Sequence, residues 1–329
     1  MQKSNLHKIP FYDNNAKHYY FNWEAKKPRL WVHIMHGMAE HSERYKTLAK
    51  FLNQHNISVT ADDHRGHGIT GSEANSLYHF ADKDGWNKLI EDQWHLIKHI
   101  AQKQSVPLVI LGHSMGSYIA LRFCQMYSCR LADDAKTYLS ALVLSGSGYT
   151  PPILSRVGRA LAFIERQRLG KDKPSSVLEH FSTGHFNRQF EPSRTARDWI
   201  SSDNAEVDNY IKDPWCGGAI STQSWFDFLG GLIDIFGQRQ LRTLPKTLPI
   251  YLFSGALDPV GNAGSAVKIL KNKLVKLNIE QVEMQLYQNG RHEMLNEVNK
   301  DEVYRDLLDW LNKIQSANRQ VNTNQMISA

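Results

Sequence analysis

The pentapeptide Gly112-His-Ser-Met-Gly116 constrains this chain more than any other stretch, because of what stands on either side of it. Four apolar residues, Leu108 to Leu111, lead into it, the pattern of a strand buried on both faces. A helix-compatible segment, Tyr118 to Tyr127, leads out. Strand, tight turn and helix together describe an elbow that holds a serine in a strained backbone conformation with its hydroxyl exposed. Gly112 and Gly116 lie two residues to either side of Ser114, where a Cβ would collide across the turn. The amide of Met115 opens the helix and so can donate to an oxyanion. Ser114 is the expected nucleophile.

Composition narrows the class. With 329 residues, 41% apolar and 22% charged, the chain is long enough for one large α/β domain carrying an insertion. The first ten residues contain no apolar segment of signal-peptide type, and no later run is long enough to span a bilayer. The expected location is cytoplasmic. Cys124, Cys129 and Cys216 show no paired spacing of zinc or disulfide type. The net charge of +6 is scattered, with no basic run interleaved with aromatics, so nucleic acid is not an expected partner. Five histidines, His33, His36, His41, His64 and His67, crowd near Asp62 and Asp63, yet none of the recognised metal-ligand spacings is met. They are expected to brace the elbow, with no metal and no cofactor.

Taken in order, strands are expected at 17–23, 30–35, 57–61, 106–111, 139–145, 248–255 and 282–287. Helices are expected at 42–53, with Ser42 as N-cap, at 86–104, after the elbow, and at 301–315. Gly146-Ser-Gly148 lacks the third glycine of a dinucleotide fingerprint and is set aside. Between 149 and 244 the βα alternation breaks down into helical and loop-like sequence. Such an insertion between two core strands reads as a cap over the sheet's C-terminal edge, where open α/β sheets bind ligands. Its segment 224–236 is apolar nearly all round. Trp225, Phe228, Leu229 and Ile233 either pack the cap or wall a channel for an acyl chain.

A serine needs a base to take its proton, and the imidazole needs a carboxylate to orient it. His292 is the one histidine after Asp258, and each lies in a loop after an expected strand. The order serine, acid, histidine is then Ser114, Asp258, His292. His36-Gly-Met-Ala-Glu-His-Ser-Glu-Arg-Tyr45, His64-Arg-Gly-His-Gly68, the elbow, Ser254-Gly-Ala-Leu-Asp-Pro-Val260 and Arg291-His292 together resemble the monoacylglycerol lipase and lysophospholipase-like α/β-hydrolases. In the cap, Thr195-Ala-Arg-Asp-Trp199 and Asp213-Pro-Trp-Cys-Gly217 are similar to bacterial members. The resemblance implies a mostly parallel sheet flanked by helices with an inserted helical cap. It also implies the same triad, an oxyanion hole from the Met38 and Met115 amides, and no cofactor. Met38 departs from the small residue of the animal lipases.

The expected organisation is a core from 1–148 and 245–315, a cap at 149–244, and a polar, unstructured tail at 316–329. The expected activity is hydrolysis of single-chain lipid esters, lysophospholipid or monoacylglycerol, through an acyl-enzyme on Ser114. The cap would make transient contact with a membrane or micelle surface; oligomeric state is left open. Two alternatives stand beside this: a proline-iminopeptidase-like aminopeptidase, and a hydrolase-fold binding protein without catalysis.

Overall fold

The computed structural model describes residues 5–13, 16–132, 138–182 and 184–327. Eight strands form one sheet in the order β1-β2-β4-β3-β5-β6-β7-β8. They are β1 (Leu6–Pro10), β2 (Lys17–Trp23), β3 (Leu30–Met35), β4 (Ile57–Asp62), β5 (Leu108–His113), β6 (Leu139–Ser145), β7 (Ile250–Gly255) and β8 (Val282–Tyr287). β1 and β2 are antiparallel to their neighbours, and every pairing from β4 to β8 is parallel. β1 is not legible in its short sequence, which ends in a proline, and pairing with β2 is what orders it.

The central strands alternate between two cores, as the pleat requires. Leu108 and Ile110 of β5 face one core, Val109 and Leu111 the other. On one face the sheet carries α1 (Lys46–Gln54). Then come α2 (Gly68–Glu73), which the sequence does not announce, and on the other face α3 (Gly85–Ala101) and α4 (Met115–Ala132). Between β6 and β7 lie the cap helices α5 (Pro152–Leu169), α6 (Ser176–Ser182), α7 (Asn204–Lys212), α8 (Thr222–Ile235) and α9 (Gln238–Leu241). α10 (Ser265–Lys276) and α11 (Lys300–Ile327) complete the fold, α11 packing beside α1.

Two expectations are corrected. Ser42 does not cap a helix: Ser42–Tyr45 is a 3₁₀ turn, and both the amide and the hydroxyl of Ser42 donate to Asp63 Oδ1. The expected unstructured tail is, as far as Ile327, a continuation of α11; no Pro or Gly in 316–327 interrupts it. Ser328 and Ala329 lie outside the described residues.

α8 is fastened to the core. Phe80 N–H donates to Ser224 Oγ at 2.9 Å and Gly85 N–H to Asp227 Oδ2 at 2.8 Å. α5 instead packs mainly on α8, where Gly158 leaves room for the Leu229 side chain. No helix among the described residues is long and apolar enough to cross a membrane.

Candidate active site

The turn from β5 to α4 puts Ser114 at φ 51°, left-handed backbone that a side chain adopts only under strain. Its amide donates to Ser145 O at 2.9 Å, and its carbonyl accepts from Ser117 Oγ at 2.6 Å. Gly116 sits directly against the Met35 and His36 carbonyls, so the elbow and the loop after β3 touch without an intervening side chain. Met38 in that loop and Met115 at the start of α4 both border the cavity that Ser114 faces.

His292 enters from the loop after β8. Its Nδ1 lies 3.0 Å from Asp258 Oδ1, and Asp258 accepts further bonds from Ser254 Oγ and Val260 N–H, each at 2.9 Å. Burial opposes charge on both groups. The pairing outweighs it, so Asp258 is held below the ordinary carboxylate range and His292 above the ordinary histidine value. His113 and Trp199 flank the imidazole at 4.8 and 5.2 Å between ring centroids. Gly146, at φ 56°, lies below it, where a Cβ would stand 3.0 Å from the ring. The structure thus brings the three residues singled out from the sequence to one place: Ser114 and His292 line one cavity, and Asp258 supports His292 from behind.

The histidine cluster braces the loop after β3. Asp62, fully buried, accepts at 2.8 Å from each of His18, His64 and Gln93. The His64 amide donates to His36 Nε2 at 3.0 Å, leaving His36 Nδ1–H to donate to Gly37 O at 2.7 Å. That pattern requires neutral His36, and burial beside His64 and His67 holds its pKa well below the usual value. His64 has acceptors at both nitrogens, Asp62 and His36 O, and Asp62 overcomes the cost of burying its charge. Among the described residues the one group that offers three ligand-type atoms within 4.8 Å is a different one, His41, Asp213 and Cys216. There His41 Nε2 and Asp213 Oδ2 already hydrogen-bond at 2.9 Å, joining core to cap.

Residues to which the sequence gives no role tie the loops around Ser114 and His292 together. Glu40 Oε1 accepts from Gly37 N–H at 2.5 Å and from Tyr45 OH at 2.8 Å. Arg44 binds Glu40 Oε2 at 2.8 Å and grips both oxygens of Glu293 at 2.6 Å. One guanidinium therefore links the loop after β3 to the residue after His292. Glu297, fully buried, receives the amides of Arg291 and Ser202 at 2.9 Å, pinning the histidine loop to the cap. Glu40 and Arg44 stand in the signature quoted above, but only the fold shows what each faces.

The cavity is about 670 Å³. Trp225, Phe228, Leu229 and Leu232 of α8 line it, with Leu154 and Val157 of α5. Ile233 does not, which corrects the sequence expectation. Residues 225, 228, 229 and 232 share one helical stripe, and Ile233 falls one residue further round, where it is half-buried.

Residues 26–299 match the family Hydrolase_4, described as Serine aminopeptidase, S33. A monoacylglycerol lipase of Mycolicibacterium smegmatis is 27% identical over 290 residues, covering 86% of this chain and 88% of the relative. The Homo sapiens monoglyceride lipase is 26% identical over 250 residues, 74% of this chain and 70% of the relative. Among solved structures, a highly thermostable carboxyl esterase from Bacillus coagulans, in complex with glycerol, is similar with a TM-score of 0.83 and 28% identity. That alignment covers 94% of this chain and 99% of the esterase. The sheet order, the elbow and a family match across most of its length place the chain in the α/β-hydrolase family described as Serine aminopeptidase, S33, of which it is a member.

Proposed function

We propose that the protein is a serine carboxylic-ester hydrolase acting on single-chain lipid esters. The observation that carries this reading is the strained Ser114 at the wall of a largely apolar cavity that His292, held by Asp258, also lines. Ser114 attacks the ester carbonyl, His292 takes its proton and returns it to the leaving alcohol, and Asp258 holds the imidazole. The Met38 and Met115 amides receive the oxyanion, and water then releases the fatty acid from Ser114. Trp225, Phe228, Leu229 and Leu232 receive the acyl chain. The alcohol is the glycerol of a monoacylglycerol or of a lysophospholipid.

Ile153, Leu154, Val157 and Phe181 are exposed on α5 and α6, and three of them border the cavity mouth. They suit transient contact with a membrane or micelle, from which a lipid would enter.

The family description favours a second reading, an aminopeptidase. That reaction needs a carboxylate to anchor the substrate's free amine. Glu40, Glu179 and Glu293 border the cavity, but Arg44 and neighbouring donors occupy the oxygens of Glu40 and Glu293, and Glu179 Oε1 accepts from Trp225 Nε1. The apolar wall and the lipase relatives weigh toward the ester reading. Labelling by a serine-directed phosphonate probe, followed by a panel of esters and aminoacyl amides, tests it. Turnover of amides above esters would overturn it.

A further inference from the structure

The cavity wall changes character along its length. α5 and α8 supply apolar side chains, whereas the section beside the oxyanion loop carries Glu40, Glu293, Tyr210 and Arg197. Among the described lining residues Arg197 is the one permanent cation. It comes from the Thr195-Ala-Arg-Asp-Trp199 segment, whose Trp199 packs against His292.

Its partners set it apart from Arg44. Arg44 spends its guanidinium on Glu40 and Glu293. Arg197 forms no ion pair among the described residues, and its guanidinium hydrogen bond there is from Nη2 to Gly217 O at 2.8 Å. Asp198 beside it is occupied by Thr195 and the Arg194 amide. The remaining N–H groups of the Arg197 fork thus stay available, on a half-buried side chain lining the cavity. Gly217 also fixes where the fork lies. Its own amide donates to Ala39 O at 2.9 Å, and Ala39 follows the oxyanion residue Met38. A short chain of contacts therefore joins Arg197 to the place where the ester carbonyl would bind.

We infer that Arg197 reads an anionic phosphate on the alcohol side of the substrate, so that the preferred lipid is a single-chain glycerophospholipid rather than a neutral monoacylglycerol. The inference rests on the ester-hydrolase reading above and adds to it the head group. In a lysophospholipid one glycerol backbone separates the ester carbonyl from the phosphate. A guanidinium presents a planar fork matched to two phosphate oxygens, and a charge-assisted bond in a partly dehydrated wall is stronger than one to a hydroxyl. Glu40 and Glu293 do not compete for the fork, because their oxygens are turned to Arg44, Gly37 and Tyr45. The chain's net charge of +6 favours approach of such a substrate.

The test compares lysophosphatidic acid, lysophosphatidylcholine and 1-monoacylglycerol of one chain length, each in the same neutral-detergent micelles. The wild type should turn over the phosphate-bearing lipids with kcat/KM at least about tenfold above the monoacylglycerol. Arg197→Gln should bring that ratio toward one, and Arg197→Lys should keep part of it as a point charge without the fork. The readout is a ratio within each protein, so a general loss from misfolding cancels. A wild-type ratio near one, or a ratio that Arg197→Gln leaves intact, would overturn the inference. Binding of the same lipids to Ser114→Ala, with and without Arg197→Gln, tests the head group even where turnover is missing. Absence of hydrolysis of every ester with phosphate-dependent binding intact would reject the ester reading alone; equal binding of all three lipids would reject Arg197. Chainless sn-glycerol 3-phosphate as competitor separates free from lipid-borne phosphate. Competition removed by Arg197→Gln shows that the phosphate suffices, and lipid preference without competition shows that the chain must be attached.

Discussion

The loops around Ser114 and the outer cap helix α5 are built on opposite terms. Around Ser114 most polar groups are buried and hydrogen-bonded: Asp62 Oδ2 accepts from two histidines and Gln93, Glu40 holds the loop after β3, and Arg44 ties that loop to Glu293. On α5 apolar side chains such as Ile153 and Val157 stand in the open, and the helix leans chiefly on α8. Reaction geometry tolerates little displacement, and the proposed chemistry lies where low dielectric and a dense hydrogen-bond network make alternatives costly. Substrate fit needs apolar area more than fixed positions, and α5 and α8 supply it. Changes on the two sides should therefore fail differently, one in turnover for every substrate and the other in discrimination among them.

The largest expected effect is Ser114→Ala. Loss of the nucleophile in such a triad costs on the order of a millionfold in kcat. Turnover within tenfold of the wild type would remove Ser114 from the mechanism.

Next is Arg44→Met, which leaves two buried carboxylates without their cation. Breaking a buried pair destabilises by about 3–5 kcal/mol, so the melting temperature should drop. Among molecules still folded, the oxyanion and histidine loops lose their link, and kcat should fall about a hundredfold for long and short esters alike, with KM little changed. A loss confined to long-chain esters would erase the contrast between the two regions.

The cap is tested by Phe228→Ala with Leu229→Ala, measured across an acyl series. Each methylene buried against the wall contributes about 0.8 kcal/mol, so wild-type specificity should climb with chain length and then level off. The double variant should flatten the climb while its two-carbon ester loses far less. Equal loss on all esters, with lower stability, would mean that these side chains only pack the cap.

The smallest effect is in pH dependence. In the proposed mechanism His292 acts as a neutral base; Asp258 raises its pKa against the effect of burial, with Glu293 and Glu40 adding to the rise. His113 and Arg44 are the other titratable or charged groups nearby, and His113 stays neutral because burial pushes it down to about 3. The acid limb of kcat/KM should therefore have its midpoint above the ordinary histidine value of about 6.5. Glu293→Gln should move that midpoint down and Arg44→Met should move it up, by a fraction of a pH unit each. Identical profiles in all three proteins would show that the Arg44 bridge acts on geometry alone.

What the sequence by itself determined was local or ordinal. Val109 and Leu111 against Leu108 and Ile110 announce a strand buried on both faces, and glycines two residues either side of Ser114 announce the elbow. Chain order then leaves Asp258 and His292, and these are the residues found bonded at 3.0 Å. Such signals survive because they depend on neighbours in the chain and on backbone sterics. Tertiary structure alone decided the rest. Arg44 and Glu293 are 249 residues apart, and nothing in either neighbourhood says that they pair. Nor does α8 reveal its inward face: a helix apolar nearly all round has no polar side to orient it, so only packing chose Leu232 over Ile233 for the cavity wall. Arg197 is the sharpest case. Its sequence context holds an aspartate on its C-terminal side that would neutralise it, and only the fold turns Asp198 toward Thr195 and leaves the guanidinium facing the cavity.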